Sequence, residues 1–128
     1  MINNVNIEFS RVDVLNFEDN SDLHHKWQSK FDIIVSNPPY VRMQEKKLMK
    51  LNVVDYEPDI ALFVEDDDPL LFYRKISQLS KQYLRQNGTL YLEINEYLGV
   101  EMEKMLNEAG FKHVDLKKDM FGKNRMIK

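Results

Sequence analysis

The stretch that decides the fold is Phe31-Asp32-Ile33-Ile34-Val35-Ser36-Asn37-Pro38-Pro39-Tyr40-Val41-Arg42-Met43. Four apolar residues, Phe31, Ile33, Ile34 and Val35, run almost directly into two prolines. Proline has no N–H to give to a ladder and forces extended backbone on the residue before it, so the strand over Phe31 to Ser36 must stop there. The run reads as a strand buried on both faces, the pattern of a parallel sheet. Its abrupt end leaves the amide of Asn37 and the phenol of Tyr40 at the carboxyl edge, where open α/β sheets bind ligands.

Outward from this corner the chain reads as one small domain. It has 128 residues, 43% apolar and 30% charged, with a formal net charge of −3 and no cysteine. No disulfide, thiolate metal site or cysteine nucleophile can therefore exist. Lys and Arg are interspersed with acids, which disfavours nucleic acid as a partner, because phosphate binding asks for a basic patch. No apolar run approaches the ~18–20 residues of a membrane span, and the first segment lacks a leader pattern, so a cytoplasmic protein without membrane contact is expected.

Val5 to Phe9 alternates apolar and polar residues and Val12 to Val14 resumes the pattern, which predicts a half-exposed strand; Asn16 to Asp22 reads as an acidic turn region. Val41 to Glu57 reads as a long loop over the strand ends, with a helical turn near Glu45 to Leu51. Asp68 is the expected N-cap of a helix with Pro69 in its first turn, carrying Leu71, Phe72, Ile76, Leu79, Tyr83 and Leu84 to a stop at Asn87-Gly88. Thr89 to Ile94 predicts a strand, Leu98 to Ala109 a helix stopped by Gly110, and Phe111 to Leu116 and Arg125 to Lys128 a closing hairpin. The class is α/β.

The corner suggests chemistry. The Asn37 side-chain oxygen and the Pro38 carbonyl are acceptors, which stiff proline rings can hold convergent. Two acceptors suit an NH2 group, and the face of Tyr40 suits a flat partner: a carboxamide or the exocyclic amine of a nucleobase. Such nitrogens are poor nucleophiles because their lone pair is delocalised. Fixing their hydrogens on two oxygens, with an electrophile in line, orients the nitrogen and stabilises the positive charge it gains on attack.

Asn-Pro-Pro-Tyr after an apolar strand is similar to motif IV of S-adenosylmethionine-dependent amino-methyltransferases. More closely, the chain resembles the release factor glutamine methyltransferases, the HemK or PrmC family. The resemblance extends to Tyr56-Glu57-Pro58-Asp59-Ile60-Ala61-Leu62, to Phe72–Ile76, to the Gly88–Ile94 strand and to an Asp-x-x-Gly-x-x-Arg element at Asp119, Gly122 and Arg125. It implies N5-methylation of a protein glutamine amide, the Gly-Gly-Gln glutamine of peptide-chain release factors, with S-adenosyl-L-methionine as cofactor and the release factor as partner. It implies catalytic roles for Asn37, Pro38 and Tyr40, substrate contact by these and Pro39, and cofactor contact by Asp13, at a strand end facing adenine, and by Asn37.

The chain departs from that family at its front. Gly88, Gly99, Gly110 and Gly122 all follow the corner, so the glycine-rich cofactor loop and the first two core strands have no counterpart. The resemblance implies sheet order 3-2-1-4-5-7-6. Residues 1–128 then correspond to the carboxyl-terminal part of a single methyltransferase domain, a partial Rossmann-like sheet of core strands 3 to 7. The absent strands would fall between Val5–Val14 and Phe31–Ser36, leaving an open edge through which the chain associates. Weak or no cofactor binding and no activity by the chain alone are expected. The alternatives are adenine N6-methylation on DNA or RNA, and a non-catalytic fragment.

Other residues have plainer readings. The acids Glu65 to Asp68 fit a helix start better than a metal site, and no metal is expected. His24 and His25 read as solvent-facing, and Met102 and Met105 as core. Arg125 has an acid near the sheet end as its expected partner. Glu57 and Pro58 either shape the loop or touch substrate; the residues alone leave both open.

Overall fold

The structure, a computed structural model, describes residues 5–17, 21–48 and 58–128. In chain order its elements are α1 (Ser21–Trp27), β1 (Phe31–Ser36), β2 (Val41–Arg42), a 3-10 helix (Met43–Leu48), α2 (Asp59–Leu62) and β3 (Phe63–Val64). There follow α3 (Leu71–Tyr83), β4 (Leu84–Glu93), α4 (Gly99–Glu108), β5 (Leu116–Lys118) and β6 (Asn124–Ile127). The main sheet is mixed, in the order β1-β4-β6-β5. β1 lies parallel to β4, while β6 runs antiparallel to both β4 and β5. β2 and β3 form a small parallel pair.

Helices α3 and α4 pack on one face of this sheet. Tyr73 and Ile76 from α3, and Met102 and Leu106 from α4, join Leu90, Leu92, Ile94, Leu98 and Ile127 in one core. Each Leu or Ile so buried contributes roughly 1.5–3 kcal/mol. Met102 is core as expected, and a closing hairpin forms between Leu116–Lys118 and Asn124–Ile127, later in its first strand than expected.

The opposite face is largely uncovered, which corrects the reading of Phe31–Ser36 as buried on both sides. Ile33 is 58% and Val35 73% exposed, and Tyr91 and Met126, from β4 and β6, are exposed too. Period-two geometry assigns these side chains to the open face while Ile34, Leu90 and Leu92 point to the helices. Among the described residues β1 pairs with β4 alone, so its other edge is unpaired.

Several boundaries differ from expectation, each for a tertiary reason. Residues 5–13 form no strand: Val5, Ile7 and Phe9 are exposed, and an alternating pattern without a pairing partner cannot become a ladder. Strand 3 of the expected strands 3 to 7 is thus absent from the described structure. Helix α3 ends at Tyr83, not Asn87, because Leu84 is extended and pairs with Phe31. The extra residues before Thr89 form an irregularity in the ladder, with Asn87 at φ 65°.

The N-cap of α3 is Leu70; Asp68 instead pairs its carboxylate with Arg74, and the Glu65–Asp68 acids lie before the first turn. Gly110, at φ 89°, terminates the helix before it as expected, a conformation that suits glycine. The strand expected at Phe111–Leu116 begins only at Leu116.

Helix α1, which no expectation covered, overlaps the Asn16–Asp22 turn region only at Ser21 and Asp22. An aromatic cluster anchors it: the Phe17 and Tyr83 rings lie 5.4 Å apart, Trp27 packs tilted on Phe17 and edge-on to Tyr83, and His24 Nδ1 meets the Tyr83 hydroxyl at 2.7 Å. His24 is therefore half-buried and partnered, not solvent-facing.

Replacing Ile94, which is fully buried at the centre of the core, by alanine is expected to lower stability by about 2–5 kcal/mol, read from the midpoint of urea unfolding.

Candidate functional site

Strand β1 ends at Ser36, opposite Leu92 of β4, and the two prolines turn the chain off the sheet immediately afterwards. Asn37 is exposed at that corner, Pro38 is buried, and Pro39 and Tyr40 are half-buried. Among the described residues the Asn37 carboxamide makes no hydrogen bond, so both its oxygen and its NH2 remain available. The ring of Tyr40 packs against the main core.

What holds the corner is a polar network. The Tyr40 hydroxyl donates to Glu93 Oε1 at 2.6 Å. Burial, with the Glu93 carboxylate beside it, pushes the phenol up to about 12, so it is a permanent donor at neutral pH. The Tyr40 carbonyl accepts from Asn95 Nδ2 at 2.9 Å, and the same amide donates to Glu45 Oε2 at 2.8 Å. Asn95 Oδ1 takes the N–H of Tyr97 at 3.0 Å. Tyr73 closes the set from below: its hydroxyl donates to the Glu93 carbonyl at 3.2 Å and accepts the Asn95 N–H at 3.3 Å.

Glu45 is the charged centre of this network. The 3-10 helix after β2 returns its carboxylate to Arg42, which donates from its backbone N–H at 3.0 Å, from Nε at 3.1 Å and from a terminal guanidinium nitrogen at 2.6 Å. Burial alone would raise the Glu45 carboxyl, but hydrogen bonds from Arg42 and Asn95 outweigh it and hold the group below the usual glutamate range. The Arg42 guanidinium also lies 5.7 Å from the centre of the Tyr97 ring.

Asp13 stands in a separate loop. Its carboxylate is exposed and takes the Leu15 N–H at 2.9 Å and the Asn16 amide at 2.8 Å, the pattern of a local turn. Foremost the Asn16 side chain, then the Leu15 N–H, holds it below the usual aspartate range. A hollow of about 260 Å³ lies between the flanks of Asp13, Val12 and Val14, and Ser36 at the end of β1, with Trp27 and Leu79 on its walls. The larger cavity, about 820 Å³, lies between the end of α3, the start of β4 and the chain after α4, and no corner residue lines it.

Sequence reasoning named the corner but not its supports. Glu93 stood inside a recognised strand without a role, and Glu45 and Asn95 were not singled out. Their signal is polarity at a strand end, Leu92-Glu93-Ile94-Asn95, and an acid three residues after Arg42. Arg125 finds its expected acid in Asp119, at 3.3 Å. Tyr56 and Glu57 lie outside the described residues.

A family model described as Eco57I restriction-modification methylase matches residues 2–121. The chain belongs to this methylase family. Similar curated relatives carry a more specific name. A release factor glutamine methyltransferase of Flavobacterium psychrophilum is 52% identical over 128 residues, covering 100% of this methylase chain and 42% of the relative. One from Bacteroides thetaiotaomicron is 50% identical over 99 residues, covering 77% and 36%. One from Lactococcus lactis is 41% identical over 127 residues, covering 98% and 43%. The methylase chain thus spans about two-fifths of the length of these relatives.

For this methylase, Glu45→Ala is expected to cost about 1–3 kcal/mol, because it strips the half-buried Arg42 guanidinium and the Asn95 amide of their partner. A carboxyl whose folded value is depressed stabilises the fold fully above its unfolded range and loses that contribution as pH falls through the folded value. The gap between the two proteins should therefore narrow with acidification below the ordinary glutamate range, as read by denaturant unfolding at a series of pH values.

Proposed function

We propose that the chain forms the acceptor side of an S-adenosylmethionine-dependent methyltransferase acting on the side-chain amide nitrogen of a protein glutamine, the Gly-Gly-Gln glutamine of peptide-chain release factors. The observation that carries this reading is the exposed, uncommitted Asn37 carboxamide at the carboxyl end of β1, next to a tethered Tyr40. The names borne by the relatives from three bacteria supply the acceptor class.

Asn37 Oδ1 and the Pro38 carbonyl would accept the two amide hydrogens, Pro39 stiffens the turn, and the Tyr40 ring packs on the amide plane. Held this way, the nitrogen presents its lone pair along one line. The acceptors would stabilise the positive charge that builds on nitrogen as the N–C bond forms and the donor's S–C bond breaks, the neutral thioether leaving, after which one amide proton departs to solvent. No titrating base is needed for attack.

The cofactor, when bound, supplies an electrophilic methyl group. Two groups of this chain suit it: the exposed carboxylate of Asp13, whose oxygens keep lone pairs for an adenine amine, and Asn37. No glycine of the chain precedes the corner, which supports reading residues 1–128 as the carboxyl-terminal part of a larger methyltransferase domain. The strand order β1-β4-β6-β5 agrees with 4-5-7-6 in the resemblance. An enzyme of release factors works in the cytoplasm, which fits a chain in which no described helix is long and apolar enough to cross a membrane.

The second reading, adenine N6-methylation, is favoured by the description of the matched family as a restriction-modification methylase. The net charge of −3 weighs against it.

The full-length protein, incubated with methyl-labelled donor, should label release factor and not DNA; labelled DNA alone would establish the second reading. Asn37→Ala should cut labelling by at least about 100-fold while leaving the unfolding free energy within about 0.5 kcal/mol of the parent, as exposed positions do.

We further propose that the 128-residue chain associates through the unpaired edge of β1 and the adjoining apolar face. Ile33→Lys should then shift its mass in light scattering from oligomer toward monomer at equal concentration. A monomeric parent would refute this.

A further inference from the structure

We infer that Glu93 is a positioning residue for Tyr40, holding its hydroxyl so that the ring keeps one orientation beside Asn37. The inference rests on the reading of the corner as the seat of a flat acceptor amide.

A tyrosine on an irregular segment has two soft torsions, and its ring serves as a platform only when its far end is tied. The tie is the 2.6 Å hydrogen bond to Glu93, the last residue of β4. Glu93 is in turn held by β6, since it pairs with Met126 and the Ile94 N–H donates to the Arg125 carbonyl at 2.9 Å.

Arg125 is itself fixed. Asp119 accepts its Nε at 3.4 Å and a terminal nitrogen at 3.3 Å. The same carboxylate caps the hairpin turn, taking the N–H groups of Phe121 at 2.9 Å and Lys123 at 3.0 Å. Gly122, at φ 79°, lets the chain make that turn. This gives the Asp-x-x-Gly-x-x-Arg spacing a physical meaning: acid, turn and guanidinium brace the hairpin whose second strand pairs with Glu93. Glu93 acts through the phenol; contact with the acceptor belongs to Asn37, Pro38 and Tyr40.

The test is a double-mutant cycle in the full-length protein, with kcat and KM measured for donor and acceptor. Glu93→Ala should lower kcat roughly 10- to 100-fold with the donor KM unchanged. It should cost nothing further in a Tyr40→Phe background, where there is no hydroxyl to hold. Glu93→Gln, which keeps an acceptor oxygen, should recover most of the loss. Losses that multiply in the double variant would overturn the inference.

A readout without turnover separates this from the fate of the glutamine reading. In NMR spectra at neutral pH the Tyr40 hydroxyl proton, shielded from exchange, should appear downfield. It should vanish in Tyr40→Phe and Glu93→Ala and return in Glu93→Gln. Persistence of that signal in Glu93→Ala would refute the grip, whatever acceptor the enzyme proves to methylate.

Discussion

Everything at the corner depends on where one parallel ladder stops. The β1–β4 pairing ends at Ser36 and Leu92, so Asn37 and Glu93 lie at the same level just past it. Two prolines make the stop obligatory on one side, since neither has an N–H to continue the ladder. Asn95 plays the corresponding part on the other side, spending its amide on the Tyr40 carbonyl and on Glu45 in place of a strand neighbour. The exposed Asn37 amide and the supports of Tyr40 are thereby brought together by register.

The price of that arrangement is a set of polar groups drawn into the interior. Glu45 and Asn95 are buried, and each has its hydrogen-bonding capacity met from several directions. Such a set rigidifies when complete and is destabilising when broken, because a stranded group meets neither water nor partner. The site therefore inherits its stiffness from the same bonds that let it exist in a low-dielectric place. Tyr40, half in the core and half in this network, joins the two regimes.

The parts legible in the sequence are those written locally. The Asn-Pro-Pro corner follows from covalent constraint, and α3 and α4 follow from apolar periodicity and, for α4, a terminal glycine. The parts that were not legible are written at a distance. The bonds from Tyr40 to Glu93 and from Asn95 to Tyr40 and Glu45 cross 53, 55 and 50 residues, and nothing near any one of these residues announces its partner. Helix α1, too short to persist by local propensity, is held by rings that include Tyr83, 59 positions beyond His24. Propensity carried α3 past Tyr83 until pairing with Phe31 drew Leu84 into the sheet. Alternation over Val5–Val14 described a surface that needs a neighbour strand to express it.

The bare side of the main sheet bears on how the molecule opens. β4 has bonded neighbours on both flanks, while among the described residues β1 has a neighbour on one flank only and apolar side chains facing water. Local opening should thus begin at β1 and reach β4 last, so amide hydrogens would exchange in that sequence across the sheet. The element that carries the asparagine is accordingly the most readily loosened of the two, and whatever covers its free flank also governs how long the asparagine stays in place.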